Sequence, residues 1–403
     1  MLQGRIVRRE RRALRSLSLA LIGMALIAGS GIGEAANKNK LGTYEKGKPV
    51  VGLSCSTPLA SQSVLLMGGG TPRVEAAFSW MIEQSRKCSG GEAPRLGNLV
   101  VVRVAGNPEY DSLIYKQGEL ASVQTVVVPT IDIANSPELD PYIQNASAIW
   151  LTGGDQGDYY EQWKGTRLAR LIQNQVATFH VPIGGTSAGM MMMSEFNYIA
   201  SPYAVTSADA LANPYKEGYM AIVNDFWTSA SPERSPMRAP IPGLENHVTD
   251  SHFSARDRMG RLVAFLARIM ATDALYPDGP VAVRDARAIG VDQEAALLLE
   301  YSVSGRRVSF TGKAITNPGV TGYAYLLQPT TAPTCSNGQP LAASCGSMLG
   351  NFTFAKINVI RLGDGSIFDF VTYQNSTGPI RQYVIDVTDG VLSGNGEGNH
   401  GAY

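Results

Sequence analysis

Short apolar runs alternate with longer amphipathic segments between residues 63 and 195 of this chain. The apolar runs are rich in Val and Ile without polar alternation, which is typical of strands buried on both faces of a parallel sheet. The predicted strands are 63–67, 99–104, 125–129, 148–152 and 181–183. The predicted helices between them are 74–87, 108–119, 137–146 and 158–175. This alternation predicts a doubly wound α/β fold with a mostly parallel sheet, in which ligands bind at the carboxyl ends of the strands.

The pattern changes after this region. Residues 198–245 are rich in Pro, Ser and Ala and weakly periodic, so we expect an insertion that covers the cleft as a lid. A helical pattern returns over 254–270, and strand patterns follow at 288–300 and 307–311. We therefore place the main domain at residues 61–311.

Residues 312–403 form a β-rich C-terminal extension in this interpretation. Short strands are predicted at 323–327, 352–360 and 383–387, separated by Gly, Asp and Asn turns. The region either extends the sheet or forms a small appended subdomain. Its tail, 393–403, is predicted to be disordered.

The first 36 residues have the layout of a secretory signal peptide. Six arginines are followed by an uncharged apolar run over 16–28 and by small residues at 33–36. The apolar run is too short to span a membrane. We expect export to the periplasm or the cell exterior, a linker over 37–60, and no membrane association after cleavage.

Export would place the four cysteines in an oxidising compartment, where pairing is favoured. Cys335 and Cys345 are suited to a local disulfide, and Cys55 and Cys88 could form a second. The sequence has no Cys/His metal spacing and only four histidines, so we expect no metal.

Charge and glycine spacing argue against several partners. Lys plus Arg equals Asp plus Glu at 34 each, so no overall field would attract nucleic acid. The cluster Gly68-Gly69-Gly70 has neither the spacing of a dinucleotide fingerprint nor a P-loop lysine. We expect no cofactor. The oligomeric state is left open, with a homodimer as one option.

One serine stands where a predicted strand turns into a predicted helix. Ser187 lies between Gly185 and Gly189, and the helix starts near Ala188. Glycines allow the tight backbone of such an elbow, which exposes the hydroxyl while N–H groups behind it face an incoming carbonyl oxygen. The pattern favours a nucleophilic serine, although the same spacing also arises in glycine-rich loops.

A serine nucleophile needs a base, and histidine is the usual one. His180 lies at the amino end of the strand before Ser187, and His400 lies in the tail. Of the remaining two, His247 and His252, we favour His252 because it directly precedes a predicted helix rich in arginine.

Three arginines, Arg256, Arg258 and Arg261, begin that helix and oppose its dipole. Placement against the dipole suggests a functional purpose, such as binding of substrate carboxylates. The alternative is a solvated helix face whose arginines pair with Asp250 and Asp257.

Three successive motifs resemble those of the cyanophycinases, serine peptidases on the class I glutamine-amidotransferase-like (flavodoxin-like) fold that are related to the aspartyl dipeptidase called peptidase E. The motifs are Thr152-Gly153-Gly154-Asp155-Gln156, Gly184-Gly185-Thr186-Ser187-Ala188-Gly189 and the thirteen residues from Asp250 to Leu262. The resemblance extends over about residues 63–300.

This resemblance implies roles for individual residues. Ser187 would be the nucleophile and His252 the general base, with Ala188 and the Gly153-Gly154 loop forming the oxyanion hole. The implied substrate pocket comprises Gln156, Arg256, Arg258 and Arg261, with Asp155 or Asp250 available to the guanidinium groups of the substrate. The implied substrate is cyanophycin, an arginine-bearing poly-aspartate polymer, and the product is the β-Asp-Arg dipeptide.

The sequence departs from the family at the third member of the triad. Family members carry a Gly-Ile-Asp-Glu segment whose glutamate orients the histidine, whereas this chain has Gly290-Val291-Asp292-Gln293-Glu294. Gln293 is the positional match and Glu294 the chemical match, and one of them is expected to orient His252.

The sequence thus predicts a secreted serine exopeptidase that hydrolyses cyanophycin through an acyl-enzyme. Two alternatives stay open: a related peptidase for other acidic or β-linked peptides, and a catalytically impaired homologue that only binds peptides.

Overall fold

Two β-sheets dominate the computed structural model, which describes residues 40–52, 55, 58–87, 96–227, 243–272, 279–345 and 352–403. The predicted signal peptide lies outside these residues. The described strands are, in chain order, β1 (Gly42–Gly47), β2 (Gln62–Met67), β3 (Gly97–Arg103), β4 (Leu120–Val127), β5 (Ala146–Leu151), β6 (Ile183–Thr186), β7 (Asn197–Tyr198), β8 (Ile222–Val223), β9 (His247–Asp250), β10 (Arg287–Val291), β11 (Ala295–Ser304), β12 (Arg307–Thr316), β13 (Ala324–Pro329), β14 (Thr334–Cys335), β15 (Phe352–Leu362), β16 (Ile367–Asp369), β17 (Gln374–Thr377), β18 (Ile380–Thr388) and β19 (Val391–Gly394).

Helices cover the sheets. The described α-helices are α1 (Glu75–Arg86), α2 (Asp111–Tyr115), α3 (Ile131–Ala134), α4 (Asp140–Gln144), α5 (Gln156–Trp163), α6 (Arg167–Phe179), α7 (Ala188–Met191), α8 (Ser207–Ala212) and α9 (Met259–Ile269). Short 3₁₀ turns occupy Pro137–Leu139, Ser254–Arg256, Ala343–Cys345 and Asn399–Gly401. None of the described helices has the length and apolar character needed to cross a bilayer.

The first sheet has ten strands in the order β1-β4-β3-β5-β6-β2-β11-β12-β16-β17. Its centre, from β4 to β2, is parallel, and every residue of β2, β3 and β5 is buried. The predicted α/β fold with a mostly parallel sheet is therefore confirmed. The carboxyl ends of β2, β5 and β6 meet at one edge, which is where Ser187 follows β6.

The second sheet joins the C-terminal region to the strand that precedes His252. Its strand order is β19-β18-β15-β13-β10-β9, and β14 pairs with β15. β9 and β10 are parallel neighbours, with Asp250 opposite Gly290. Residues after 312 contribute strands to both sheets, because β12, β16 and β17 continue the first one. The proposed domain limits of 61–311 and 312–403 stay a prediction.

Several local expectations differ from the structure. Residues 42–47, assigned to a linker, form β1 and pair antiparallel with β4 at the edge of the first sheet. The predicted strand 288–300 is two strands, β10 and β11, because a turn intervenes in which Glu294 has a positive φ of 57°. The predicted helix 158–175 is likewise two helices, separated by Gly165, whose φ is 68°, and by the Thr166 cap of α6.

The tail also differs from its predicted disorder. Ala402 is fully buried, Tyr403 is 9% exposed, and the phenol of Tyr403 accepts a hydrogen bond from the N–H of Met259 at 3.0 Å. The described part of the insertion, up to residue 227, is packed as well: Trp227 is buried and donates its indole N–H to the carbonyl of Met192. Residues 228–242 lie outside the described part, so the lid stays a prediction.

Cys335 and Cys345 form the expected disulfide. Cys55 is also disulfide-bonded. Its expected partner, Cys88, lies outside the described residues.

Candidate active site

Ser187 sits at a sharp elbow between β6 and α7. Its backbone has φ 53° and ψ −120°, a left-handed conformation that costs energy for a residue with a side chain. The neighbouring glycines are required by close packing: a Cβ on Gly189 would lie 2.3 Å from the carbonyl oxygen of Leu151, and one on Gly185 would lie 2.7 Å from the carbonyl carbon of Gly189. The sequence prediction of an elbow at Ser187 agrees with this geometry.

His252 reaches Ser187 from the other sheet. It follows β9, has a φ of 48°, and donates its backbone N–H to the carbonyl of Gly68 at 2.7 Å. Its Nε2 lies 2.8 Å from Oγ of Ser187, within hydrogen-bond distance. The residues singled out as nucleophile and base are therefore in direct contact, although 65 positions separate them in sequence.

Gln293, rather than Glu294, contacts the far side of the imidazole. The side-chain amide of Gln293 lies 2.8 Å from Nδ1 of His252 (Nε2 to Nδ1). Glu294 is the turn residue with a positive φ, and its backbone N–H donates to the carbonyl of Gly69. Gln293, which occupies the position of the family's glutamate, is thus the one of the two candidates that contacts His252.

Asp292 holds this turn in place and was not singled out from the sequence. Its buried carboxylate accepts backbone N–H groups from Ser254 at 2.8 Å and Tyr323 at 3.1 Å. Burial raises the pKa of the Asp292 carboxyl. Because Ser254 belongs to the segment after His252, this carboxylate ties the Gln293 turn to the loop that carries the base.

The glycine cluster 68–70 brings backbone against these groups. A Cβ on Gly68 would lie 2.0 Å from the carbonyl oxygen of Asp292, one on Gly69 would lie 2.4 Å from the His252 ring, and one on Gly70 would lie 2.9 Å from Cβ of Gln293. The cluster therefore allows the close approach of both loops, which explains glycines at this strand end better than a phosphate site does.

Asp250, Arg258 and Arg261 form a buried ion cluster, and their expected roles in substrate binding stay a prediction. Arg261 donates two hydrogen bonds to Asp250, at 2.6 and 2.7 Å, and Arg258 donates a third at 3.1 Å. Asp250 is fully buried and Arg261 is 3% exposed. Burial lowers the pKa of Arg258 to about 10, so this side chain stays charged at neutral pH. The alternative of internal pairing with Asp250 is the one that the geometry supports.

Arg256 differs from the other two arginines because it is exposed. Within the described part of the chain it has no ion-pair partner. Its charge, together with that of Arg258, adds to the effect of burial, which is the main cause that lowers the pKa of His252 to about 4. His252 is therefore neutral near pH 7, as a general base must be.

The remaining predicted residues lie at the end of β5 and the start of α5. Asp155 caps α5 by accepting the N–H of Gly157 at 2.8 Å, and Gln156 contacts the sulfur of Met191 at 3.7 Å. Asp155 thus has a structural role in this structure, and Gln156 lies beside α7 near the elbow. A Cβ on Gly153 would lie 3.3 Å from Cβ of Ser187, so the 153–154 loop adjoins the nucleophile.

Backbone N–H groups suited to an oxyanion lie at the same place. Ala188 is the first residue of α7, where N–H groups have no partner within the helix. Gly154 belongs to the loop beside Ser187 and is exposed. The expected oxyanion hole of Ala188 and Gly154 stays a prediction. In the described residues, no group of three or more His, Cys, Asp or Glu could hold a metal ion.

The C-terminal residues support the base loop from behind. The hydroxyl of Tyr403 donates to Asp257 at 2.9 Å, and the Tyr403 ring packs edge-on against Phe253, with 5.9 Å between ring centres. Phe253 follows His252 directly and packs on Gly290, where a Cβ would lie 2.6 Å from the Phe253 ring. This support was not found from the sequence, because it joins segments 144 to 146 residues apart.

Fold and site together define an α/β protein with a strained serine elbow in contact with a neutral histidine. Comparison with known proteins agrees with the resemblance seen in the motifs. Residues 64–212 match the model of peptidase family S51, a stretch that contains Ser187 and ends before His252.

Two individual proteins are similar to this chain. A cyanophycinase from Geminocystis herdmanii (strain PCC 6308) is 23% identical over 209 residues, which cover 51% of this chain and 67% of the relative. A crystal structure of a peptidase from an acI-B1 actinobacterium is 15% identical, with a TM-score of 0.41, and the match covers 66% of this chain and 91% of the other. The match to peptidase family S51 and the similarity to a cyanophycinase confirm the resemblance to cyanophycinases that the motifs predicted.

Proposed function

We propose that this protein is a serine peptidase of the S51 type. The observation that carries the proposal is the 2.8 Å contact between Oγ of Ser187 and Nε2 of His252 at a strained elbow. A hydroxyl held against a neutral imidazole at the end of a parallel strand is the arrangement that activates a serine for acyl transfer. The match of residues 64–212 to peptidase family S51 supports the same reaction class.

The reaction would proceed in two halves. Oγ of Ser187 attacks the carbonyl carbon and passes its proton to Nε2 of His252, while backbone N–H groups of Ala188 and the 153–154 loop receive the oxyanion. His252 then gives the proton to the departing amine as the C–N bond breaks. Water, activated by the same histidine, releases the acid from Ser187.

Cyanophycin is the substrate that we favour, with the β-Asp-Arg dipeptide as product. The similarity to a cyanophycinase supports this choice. Exposed Arg256, near His252 and without an ion-pair partner in the described residues, offers a cation for a free carboxylate of the substrate. The single carboxylate of Asp250 pairs with both Arg258 and Arg261, so this buried cluster keeps a net positive charge but offers no exposed cation.

Export forms part of the proposal. The signal-like N-terminus and the Cys335–Cys345 disulfide support action in an oxidising compartment outside the cytoplasm.

The test has two readouts. A fluorophosphonate should label the wild-type protein and leave the Ser187→Ala variant unlabelled. A turbid cyanophycin suspension should clear with release of β-Asp-Arg, detected by mass spectrometry. Labelled protein that leaves the suspension turbid contradicts the substrate, and folded protein that does not become labelled contradicts the reaction class.

One observation favours a second candidate, a peptide-binding homologue with little turnover. An amide, and not a carboxylate, lies beside His252. In that case the polymer should bind to the folded protein, measured by co-sedimentation, without loss of turbidity.

A further inference from the structure

The imidazole of His252 is held between two polar groups. Oγ of Ser187 lies 2.8 Å from Nε2, and the amide nitrogen of Gln293 lies 2.8 Å from Nδ1. A neutral imidazole has one N–H, so its two nitrogens cannot both accept or both donate. If Nε2 is to take the proton of Ser187, the ring proton must be on Nδ1, and the group facing Nδ1 must accept it.

A carboxamide can fill this role, because its oxygen accepts hydrogen bonds while its nitrogen donates them. In the described part of the chain, the contact with Nδ1 is the one hydrogen bond recorded for the Gln293 side chain. A half-turn of the amide therefore exchanges its oxygen and nitrogen at this position without breaking another bond. With nitrogen towards Nδ1, the ring proton is on Nε2 and Ser187 cannot pass its proton there. With oxygen towards Nδ1, the nucleophile can be activated.

Among the residues that the structure describes, no carboxylate takes the place of the amide beside the ring. Asp250, on the segment of His252, already accepts hydrogen bonds from Arg258 and Arg261. Asp292, on the Gln293 turn, is occupied by the backbone N–H groups of Ser254 and Tyr323.

The other elements that the structure describes around the ring add no compensating negative charge. Gly68-Gly69-Gly70, which packs against it, carries no titratable side chain, and Ser187 on the elbow is neutral. In the described residues the side chain of Glu294 makes no hydrogen bond to His252. Exposed Arg256 contributes a positive charge. The imidazolium formed during turnover would thus face arginines and an uncharged amide.

We propose that Gln293 is a positioning residue whose amide oxygen holds His252 with its proton on Nδ1, giving this protein a serine–histidine–glutamine triad without a carboxylate. The effect of Gln293 on catalysis rests on the proposed function as a serine peptidase. The tautomer itself is a property of the resting protein.

Two substitutions of nearly equal size separate the contributions of shape, hydrogen bonding and charge. Gln293→Glu supplies a carboxylate at the same place, and its negative charge stabilises the imidazolium. We therefore expect kcat to rise at least about tenfold. In serine proteases, replacing the triad carboxylate by an amide lowers kcat roughly 10⁴-fold, which sets the upper limit of this effect. The pH at which activity falls on the acid side should move upward, because the negative charge raises the pKa of His252. Gln293→Met keeps the length but cannot accept a strong hydrogen bond, so kcat should fall about tenfold or more with KM little changed.

Nitrogen-15 chemical shifts of the histidine rings provide a readout that does not require activity. Protein labelled at its four histidines, with His252 assigned from the spectrum of His252→Gln, should carry the His252 proton on Nδ1 at pH 7. The Gln293→Met variant should lose this preference. A proton on Nε2 in the wild type, or Gln293→Met with unchanged kcat and tautomer, would overturn the proposal.

The outcome is distinguishable from failure of the proposed function. If fluorophosphonate does not label Ser187 in any of these folded variants, the peptidase assignment fails while the ring spectra still decide the role of Gln293. If Ser187 is labelled but cyanophycin is not cleaved, the labelling rates of Gln293→Glu and Gln293→Met replace kcat in the comparison.

Discussion

Gly69 lies directly against the ring of His252, so that a Cβ at this position would be 2.4 Å from Cε1 and 2.6 Å from Nε2 of the imidazole. The same glycine accepts the backbone N–H of Glu294. Because Gly69 has no side chain, it leaves the space that the imidazole of His252 occupies.

Gly69→Ala should displace His252 from Ser187. The added methyl group cannot be accommodated without moving the ring, and a shift of about 1 Å in a catalytic group can cost on the order of 10²-fold in rate. We expect the labelling rate of Ser187 and the turnover of substrate to fall by about that factor.

Gly118→Ala is the matched control for this substitution. Gly69 has a φ of 101° and Gly118 one of 83°, but nothing lies within 4 Å of a Cβ at Gly118. Both variants carry backbone strain, and only Gly69→Ala crowds the ring. Equal losses of activity in the two variants would contradict the importance of the close approach.

Asp250→Asn should strongly destabilise the protein. The substitution removes the charge that neutralises Arg261, which is almost completely buried. Removal of one partner of a buried ion pair typically costs about 3–5 kcal/mol, because the other charge is left uncompensated. Urea titration of the purified variant should show a loss of unfolding free energy in this range.

Asp140→Asn serves as the comparison, because Asp140 pairs with Arg167 and both side chains are partly exposed. Exposed pairs contribute roughly 0–1 kcal/mol. If the two variants lose the same stability, Asp250 does not have the structural role assigned to it.

His247 should make the stability depend on pH. It is buried in β9, and this burial lowers its pKa to about 4 from an ordinary value near 6.5. The unfolded chain therefore binds a proton more readily than the folded one. The stabilisation due to neutral His247 is complete above pH 6.5 and decreases as the pH falls towards 4, by about 1.4 kcal/mol per pH unit.

His247→Asn tests this dependence, since its amide can still donate to the carbonyl of Glu245 as Nδ1 of the histidine does. Relative to its own value at pH 7, the variant should lose about 2 kcal/mol less than the wild type at pH 5. Parallel pH curves for the two proteins would refute the assignment.

Tyr403→Phe should loosen the loop that carries His252. The hydroxyl accepts the N–H of Met259 and donates to Asp257, so its removal leaves a buried N–H unpaired at a cost of about 1–3 kcal/mol. We expect this loss in urea titration, with a measurable fall in the labelling rate of Ser187. Tyr44→Phe, at a tyrosine 39% exposed on β1, should leave both unchanged.

The central parallel strands, the elbow and the base could be predicted from the sequence because each has a local signature. Apolar runs of the right length mark β2, β3 and β5, and the glycines around Ser187 mark the turn. His252 followed from elimination among four histidines. Gln293 and Glu294 were candidates because the segment 290–294 resembles the family segment that carries the glutamate. The choice between the two residues required the geometry of the turn.

What escaped prediction depends on contacts between distant segments. The arginines after His252 suggested a substrate pocket. The pairing of Arg261 with Asp250 could not be decided from the sequence, because it depends on side-chain orientation and burial. The pairing of β1 with β4, and the second sheet, depend on partners that a periodic pattern does not specify. The ordered end of the chain at Tyr403 was missed for the same reason, because its partners lie in the loop after His252.

Ser187 and His252 follow strands of different sheets, whereas His252 and Gln293 follow adjacent parallel strands of one sheet. The Ser187–His252 contact therefore joins the two sheets, and Gln293 lies in the turn that leads from β10 of the second sheet to β11 of the first. A change in the spacing of the two sheets would therefore alter the distance between Ser187 and His252. Residues 68–70 hydrogen-bond to the loops of both His252 and Glu294, so this stretch holds the two sheets together beside the imidazole.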